Sequence, residues 1–92
     1  MKRNELEDEI RAVVLSSVEV EGLTADDLKP DAPLFGDGVG LDSIDALEIG
    51  AALRRKYKVS FKANAEENRE RFKTIASLAA FIAQSANIEL ED

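Results

Sequence analysis

Residues 40–49 read GLDSIDALEI, and this stretch carries the strongest pattern in the 92-residue sequence. Ser43 directly follows Asp42 at the point where apolar residues begin to recur at helical spacing. Asp42 is placed to cap a helix, and Asp45 complements the positive end of the helix dipole. The pattern predicts a helix that begins at Asp42 or Ser43, runs to about Tyr57, and presents a serine hydroxyl in its first turn.

The apolar side chains of this helix fall into two stripes. The first has the spacing of a helix packed in a bundle and contains Ala46, Ile49, Gly50, Leu53 and Tyr57. The second is flanked by Asp45 and Glu48 and contains Ile44, Leu47 and Ala51. Two interpretations of the second stripe stay open: it also enters the core, or it is an exposed surface that contacts a partner.

Three further helices are predicted. The first is capped by Asn4 with Glu7, ends near Gly22, and has an apolar stripe at Leu6, Ile10, Val13 and Val14. A short polar helix is predicted within residues 63–70. Thr74 is placed to cap the last helix, whose apolar positions are Ile75, Leu78, Ala79, Phe81 and Ile82. The tail at residues 87–92 is expected to fray.

A long connection at residues 23–41 contains two prolines and three glycines, with one helical turn predicted over residues 24–28. We expect it to be ordered, because apolar side chains can pin it across the helix ends: Leu23, Leu28, Leu34, Phe35 and Leu41. Three longer helices, one short helix and a long first loop predict an all-α four-helix bundle. A chain of this length predicts a single domain over residues 1–92.

Composition removes several classes of function. The chain has no cysteine, so it forms neither a disulfide nor a thiolate metal site, and no histidine, the usual base that activates a serine. The N-terminus is charged and the sequence has no long apolar run, so we expect no signal peptide and no membrane span. We therefore expect a cytoplasmic protein without a metal.

Charge is unevenly distributed. The net charge is -7: residues 1–53 hold 4 basic and 13 acidic residues, a balance of -9, whereas residues 54–92 hold 8 and 6, a balance of +2. An acidic surface attracts basic patches on other proteins and repels nucleic acid. The basic run at Arg54, Arg55, Lys56 and Lys58 is interpreted as a solvated helix end, and nucleic acid is not expected as a partner.

Two other binding sites are rejected on the residues. Residues 37–48 begin and end with acidic residues as a calcium loop does, but Val39 and Leu41 occupy ligand positions and Asp42 replaces the required glycine. The GDGVG run at residues 36–40 lacks the residues that complete a nucleotide-binding loop, so it predicts a turn.

The stretches LFGDGVGLDSIDALEI (residues 34–49) and RFKTIASLAAFI (residues 71–82) resemble acyl carrier proteins. The resemblance implies that a phosphopantetheinyl transferase (holo-carrier synthase) moves 4'-phosphopantetheine from coenzyme A onto Ser43. The protein would then be a non-catalytic, monomeric carrier of acyl thioesters in fatty-acid, polyketide or specialised lipid biosynthesis. Its implied partners are that transferase, an acyl-loading ligase or transferase, a ketosynthase and other biosynthetic enzymes. The residues matching the family's partner-recognition helix are Asp42, Ile44, Asp45, Leu47, Glu48 and Ala51.

Two departures from the family pattern narrow the expected pathway. Arg54, Arg55 and Lys56 are basic where familiar fatty-acid carriers stay acidic, which favours a dedicated synthase or ligase set in a specialised pathway. Leu41 and Asp42 stand where peptidyl carriers have paired glycines, which disfavours aminoacyl cargo.

Two questions about the serine helix stay open. Its small residues are Ala46, Gly50, Ala51 and Ala52. Either they leave room for an acyl chain between the helices, or they merely allow the helices to pack closely. The rival function is a small acidic helical adaptor without a prosthetic group, in which Ser43 is only a helix cap. A free-standing hydrolase is disfavoured because the chain has no evident base for the serine.

Overall fold

The computed structural model describes residues 1–18, 21–35, 38–61 and 65–91, with the side chains of residues 65–67 outside the description. It contains four α-helices, which we label α1 (Arg3–Ser17), α2 (Ser43–Tyr57), α3 (Ala65–Arg71) and α4 (Ile75–Ser85). No strand forms within the described residues. The predicted all-α bundle of three longer helices and one short helix is confirmed, and α3 covers part of the predicted 63–70 segment, of which residues 63 and 64 lie outside the description.

The core lies where α1 packs against both α2 and α4. Each of these helices contributes side chains with no exposed surface: Leu6, Ile10 and Val14 from α1, Ile49 and Leu53 from α2, and Ile75, Leu78, Ala79 and Ile82 from α4. A fully buried Leu, Ile or Val side chain contributes about 1.5–3 kcal/mol to folding. The apolar spacing in the sequence thus identified the inward faces of all three longer helices.

A hydrogen bond also joins α1 to α2. The Tyr57 hydroxyl, at the end of α2, donates to Oε1 of Glu9 at 2.8 Å. Burial and the adjacent Glu9 carboxylate raise the pKa of the Tyr57 hydroxyl, because both disfavour the phenolate. This contact explains why Tyr57 is half-buried, unlike the fully buried Ile49 and Leu53 of the same stripe.

Both predicted ends of α1 are wrong. The helix is capped by Lys2, whose backbone N–H donates to Oε1 of Glu5 at 3.4 Å, so Asn4 and Glu7 lie inside the helix. It ends at Ser17 with an extended Val18, well before Gly22. Val18 is buried in the core, and this burial outweighs the continuation of the local helical pattern.

The C-terminal tail is paired rather than frayed. The backbone N–H of Glu91 donates to the carbonyl of Met1 at 2.8 Å, and the N-terminal amine donates to the carbonyl of Glu89 at 3.1 Å. Ile88 and Leu90 pack as half-buried side chains against the core. The predicted fraying is therefore wrong for residues 87–91, because pairing with the distant N-terminus supplies backbone partners that a local sequence window does not contain.

The described parts of the first loop, residues 23–35 and 38–41, cross the helix ends and are anchored in the core, as predicted. Its helical turn is a 3-10 turn at Ala25–Asp27, and Leu28, Leu34 and Leu41 are buried. Backbone hydrogen bonds tie the loop to the start of α4: Leu34 donates to the carbonyl of Lys73 at 3.0 Å, and Ala76 donates to that of Pro30 at 2.9 Å. These hydrogen bonds fix the position of the loop relative to α4, and α2 begins directly after the loop.

The predicted turn at residues 36–40 can be described only from Gly38 onward. The backbone N–H of Val39 donates to the carbonyl of Pro33 at 2.9 Å, which brings two segments of the loop together. A Cβ on Gly38 would collide with that same Pro33 carbonyl. Glycine at position 38 therefore permits a close backbone approach, in keeping with the predicted structural role.

Candidate functional site

The start of α2 is set by two aspartates that cap it reciprocally. The backbone N–H of Asp45 donates to Oδ1 of Asp42 at 2.9 Å, and the backbone N–H of Asp42 donates to Oδ2 of Asp45 at 3.0 Å. This is a capping box built with aspartate at both positions. Asp42 is the cap, as predicted, so the alternative interpretation of Ser43 as the cap is wrong.

Ser43 is the first residue of α2 and is exposed. Two residues before it, Leu41 is buried, and its backbone N–H donates to the carbonyl of Leu34 at 3.0 Å. Gly40 has a φ of 87°, a left-handed conformation that glycine adopts without strain and that turns the chain into this anchor. The Ser43 side chain is thus exposed, while its backbone is held by the buried Leu41 before it and by the helix that follows it.

The Ser43 hydroxyl makes no hydrogen bond with any residue that the structure describes. Its oxygen is therefore accessible at the N-terminus of a 15-residue helix, where free backbone N–H groups and the helix dipole favour a bound anion. The Asp42 and Asp45 carboxylates each accept a backbone N–H in the capping box, although their negative charge still opposes an anion nearby. These residues fit a phosphodiester linked to the serine oxygen.

The second apolar stripe lies outside the core. Ile44 and Leu47 are 64% and 74% exposed, and among the described residues they are the largest exposed apolar side chains beyond Met1. Asp42 and Glu48 are also exposed, whereas Asp45 and Ala51 are half-buried. The interpretation that the whole stripe enters the core is wrong. Of its three members, Ala51 is half-buried, and it lines a cavity together with the exposed Leu47.

A cavity of about 870 Å³ runs beside α2. Along α2 it is lined by Ser43, Ala46, Leu47, Gly50, Ala51 and Arg54. The first loop contributes Phe35 and Leu41, and the opposite side carries Phe61, Asn68, Arg69 and Phe72. Ser43 therefore stands on the lining of an apolar cavity whose volume lies in the range of ligand-binding pockets.

Comparison with known protein families finds one family model that matches most of the chain. The family model described as "Phosphopantetheine attachment site" matches residues 9–82, which include most of α1, the whole of α2 and α3, and the cavity beside them. The chain belongs to the phosphopantetheine attachment site family. Members of this family carry covalently attached 4'-phosphopantetheine, receive it from a phosphopantetheinyl transferase, and work with biosynthetic enzymes. Comparison with curated proteins finds no match.

Two aromatic residues of this carrier's cavity were not recognised in the sequence. The ring of Phe61 lies 5.0 Å from that of Phe72 and 4.9 Å from that of Phe81, and the Arg71 guanidinium stacks 4.3 Å from the Phe81 ring centre. Together these contacts hold an aromatic wall opposite α2. The available signal was the isolated aromatic on each side of the short helix, where no apolar stripe demands one.

Gly50 lines the cavity where α2 faces the aromatic wall. A Cβ at this position would lie 3.4 Å from Cζ of Phe72 and 3.9 Å from the Phe61 ring. Any larger side chain would therefore extend into the space between α2 and the aromatic wall. Gly50 lies on the cavity lining and also allows α2 to approach Phe72 closely, so both predicted uses of the small residues stay open.

The basic run lies at the other end of the carrier's α2. Arg54, Arg55 and Lys56 occupy its last turn and are exposed, where positive charge complements the negative end of the helix dipole. Lys58 closes the helix with a left-handed φ of 56°. The exposed surface of α2 therefore changes sign along its length, from acidic and apolar near Ser43 to basic near Lys58.

None of the described helices is both long and apolar enough to cross a membrane. Within the described residues no cluster of acidic side chains is arranged to hold a metal ion. Asp37, the first position of the rejected calcium loop, lies outside the description.

Proposed function

We propose that Ser43 is the residue to which 4'-phosphopantetheine is attached, and that the chain carries acyl intermediates as thioesters on that arm. The observation that supports this proposal best is the Ser43 hydroxyl itself. It is exposed, it makes no hydrogen bond within the described residues, and it stands at the start of α2 on the lining of an apolar cavity. When bound, the group supplies a thiol that forms the thioester with the acyl chain.

The chain's own residues position the serine rather than activate it. The sequence contains no histidine to take the hydroxyl proton, and the nearest carboxylates are engaged in the capping box. We infer a non-catalytic carrier whose transferase removes that proton. A bond then forms between Oγ and phosphorus, the pyrophosphate bond of coenzyme A breaks, and adenosine bisphosphate leaves.

The proposed partner surface surrounds the serine and consists of Asp42, Ile44, Asp45, Leu47, Glu48 and Ala51. The exposed Ile44 and Leu47 supply apolar area that water disfavours, and the acidic residues around them attract basic patches on a partner. We propose that the transferase, an acyl-loading ligase or transferase, and a ketosynthase use this surface in turn. We further propose that the carrier is a cytoplasmic monomer and that residues 1–92 form one domain.

The basic end of α2 supports a specialised pathway. A partner that covers all of α2 must match acidic charge near Ser43 and basic charge at Arg54, Arg55 and Lys56. An enzyme surface that is basic throughout would meet like charge at these three residues, which lowers its association rate. We therefore propose a dedicated set of enzymes in polyketide or specialised lipid biosynthesis, with ordinary fatty-acid biosynthesis as the alternative.

The test is the intact mass of the protein after incubation with coenzyme A, magnesium and a broad-specificity phosphopantetheinyl transferase. We expect wild type to gain the mass of one phosphopantetheine. Ser43→Ala should gain nothing, whereas the matched variant Ser60→Ala, which removes another exposed serine, should be modified fully. If two proven transferases leave wild type unmodified, the adaptor without a prosthetic group becomes the better interpretation.

A further inference from the structure

The exposed side of α2 carries two arginines in line with its exposed apolar side chains. Ile44 and Arg55 are eleven residues apart, which is about three turns of an α-helix. Leu47 and Arg54 are seven residues apart, about two turns. Each pair therefore lies in one row along the helix, and the four side chains share one exposed face of α2.

Lys56, the third basic residue of the last turn, lies on a different side of α2. It follows Arg55 by one residue, which turns an α-helix by about 100°. Its amine lies 5.6 Å from the ring centre of Tyr57, whose hydroxyl donates to Glu9 of α1. Lys56 therefore extends toward Tyr57. By contrast, Arg54 and Arg55 make no ion pair and no ring contact with any residue that the structure describes.

The two arginines lie within the area that a partner bound at Leu47 would cover. A protein interface of standard size buries about 800 Å² of each partner, which corresponds to a patch about 30 Å across. Arg54 is seven residues beyond Leu47, or about 10 Å along the helix, and Ser43 is four residues before it, or about 6 Å. An enzyme surface centred on Leu47 therefore covers the serine and the arginines together.

The charges on this face determine which surface can cover it. Near Ser43, the exposed carboxylates of Asp42 and Glu48 attract basic side chains. At the other end, Arg54 and Arg55 attract acidic side chains. A surface of one sign therefore meets like charge at one end of α2, and this holds for nucleic acid and for an anionic membrane. The face fits a protein partner that presents both signs of charge.

We propose that Arg54 and Arg55 select the partner enzymes of this carrier. The selected enzyme surface has an apolar recess for Ile44 and Leu47 and, about 10–16 Å from it along α2, a patch of Asp or Glu side chains. A guanidinium pairs with such a carboxylate through two parallel hydrogen bonds. Lys56 takes no part in this contact. The inference rests on the proposed function and adds the chemistry of the partner surface.

The experiment uses a ketosynthase whose carrier-binding face is basic throughout, and a panel of its variants in which one basic residue of that face is replaced by Glu. The value of kcat/KM is measured for transfer of an octanoyl group from the loaded carrier to each enzyme, at about 50 mM and about 500 mM NaCl. The carriers are wild type, Arg54→Glu, Arg55→Glu and the control Lys56→Glu. All three variants reverse one charge in the same turn of α2, so net charge and helix dipole are affected equally.

With the basic ketosynthase, Arg54→Glu and Arg55→Glu should each raise kcat/KM at low salt by at least about fivefold, through KM. Lys56→Glu should raise it by less than about twofold. High salt should shrink these gains, because mobile ions screen the charges. Wild type should be used better by at least one Glu variant of the enzyme, and that gain should be lost with Arg54→Glu or Arg55→Glu, which demonstrates direct coupling.

Three results would overturn the inference. Equal effects of Lys56→Glu and the arginine variants would mean that net charge alone matters. No effect of any variant would place the last turn of α2 outside the enzyme interface. Co-sedimentation of wild type with phosphatidylglycerol vesicles, lost in Arg54→Glu and Arg55→Glu, would assign the arginines to a lipid surface. Intact mass reports loading separately: failure to load contradicts the proposed function and this inference with it, whereas a loaded carrier without the charge effect contradicts this inference alone.

Discussion

At the scale of single residues, the site depends on a division of roles between neighbours at the start of α2. Asp42 makes the cap hydrogen bond and Ser43 makes none with the described residues. The serine hydroxyl is therefore not needed to stabilise the helix, and it can be modified without loss of a structural contact. The same pair distinguishes a carrier from an adaptor in which the serine would serve as the cap.

This division predicts different stabilities for two adjacent variants. Asp42→Ala removes a helix cap and should lower the free energy of unfolding by about 1 kcal/mol. Ser43→Ala removes an exposed hydroxyl and should change it by less than about 0.5 kcal/mol. Urea denaturation measures both, with Asp31→Ala as the control for loss of an exposed aspartate. Equal destabilisation by the Asp42 and Ser43 variants would contradict the assignment of the cap.

At the scale of elements, the face of α2 that lies opposite the aromatic wall carries small side chains, and the cavity lies between the two. A Cβ on Gly50 would lie 3.4 Å from Phe72 and 3.9 Å from Phe61, and Phe81, outside the cavity lining, packs against Phe61. Glycine inside a helix costs up to about 1 kcal/mol relative to alanine. At Gly50 this cost accompanies a place on the cavity lining, close to the Phe72 ring.

Gly50→Ala should therefore stabilise the protein. Alanine favours the helix by about 0.5–1 kcal/mol, and its Cβ would make an ordinary contact at 3.4 Å with Phe72. Gly22→Ala is the matched control, because its Cβ would meet nothing within 4 Å but the φ of 83° strains any side chain. Urea denaturation should show a gain for the first variant and a loss for the second. A loss at Gly50 would mean that the aromatic wall cannot accept a methyl group.

At the scale of the whole molecule, the described part of the bundle has one tightly packed side and one side with a cavity. The core where α1, α2 and α4 meet is sealed by side chains with no exposed surface, whereas the space between α2 and α3 is an open cavity. A ligand that fills the cavity adds buried apolar area without displacing a packed side chain. The cavity can therefore gain from burial of cargo while the core stays unchanged.

Sequestration of an acyl chain should raise the stability of the whole protein. If four methylenes enter the cavity, their burial contributes up to about 3 kcal/mol. Since about 1 kcal/mol moves the Tm of a domain this size by about 4–8 °C, the octanoyl form should melt well above the acetyl form. Thermal unfolding followed by circular dichroism measures the difference, with Gly50→Leu as the variant that fills the cavity and removes it. Equal Tm values for the two wild-type forms would contradict sequestration.

Features determined by neighbouring residues were predictable from the sequence. The inward faces of α1, α2 and α4, the Asp42 cap and the ordered loop follow from helical spacing, short-range hydrogen bonds and apolar anchors. Tertiary structure alone decided the rest. The start of α1 depends on the tail that pairs with residues 1–3, and the cavity joins Gly50 to Phe61, Arg69 and Phe72. These groups are separated in the chain and meet through packing, so no local pattern records their distance.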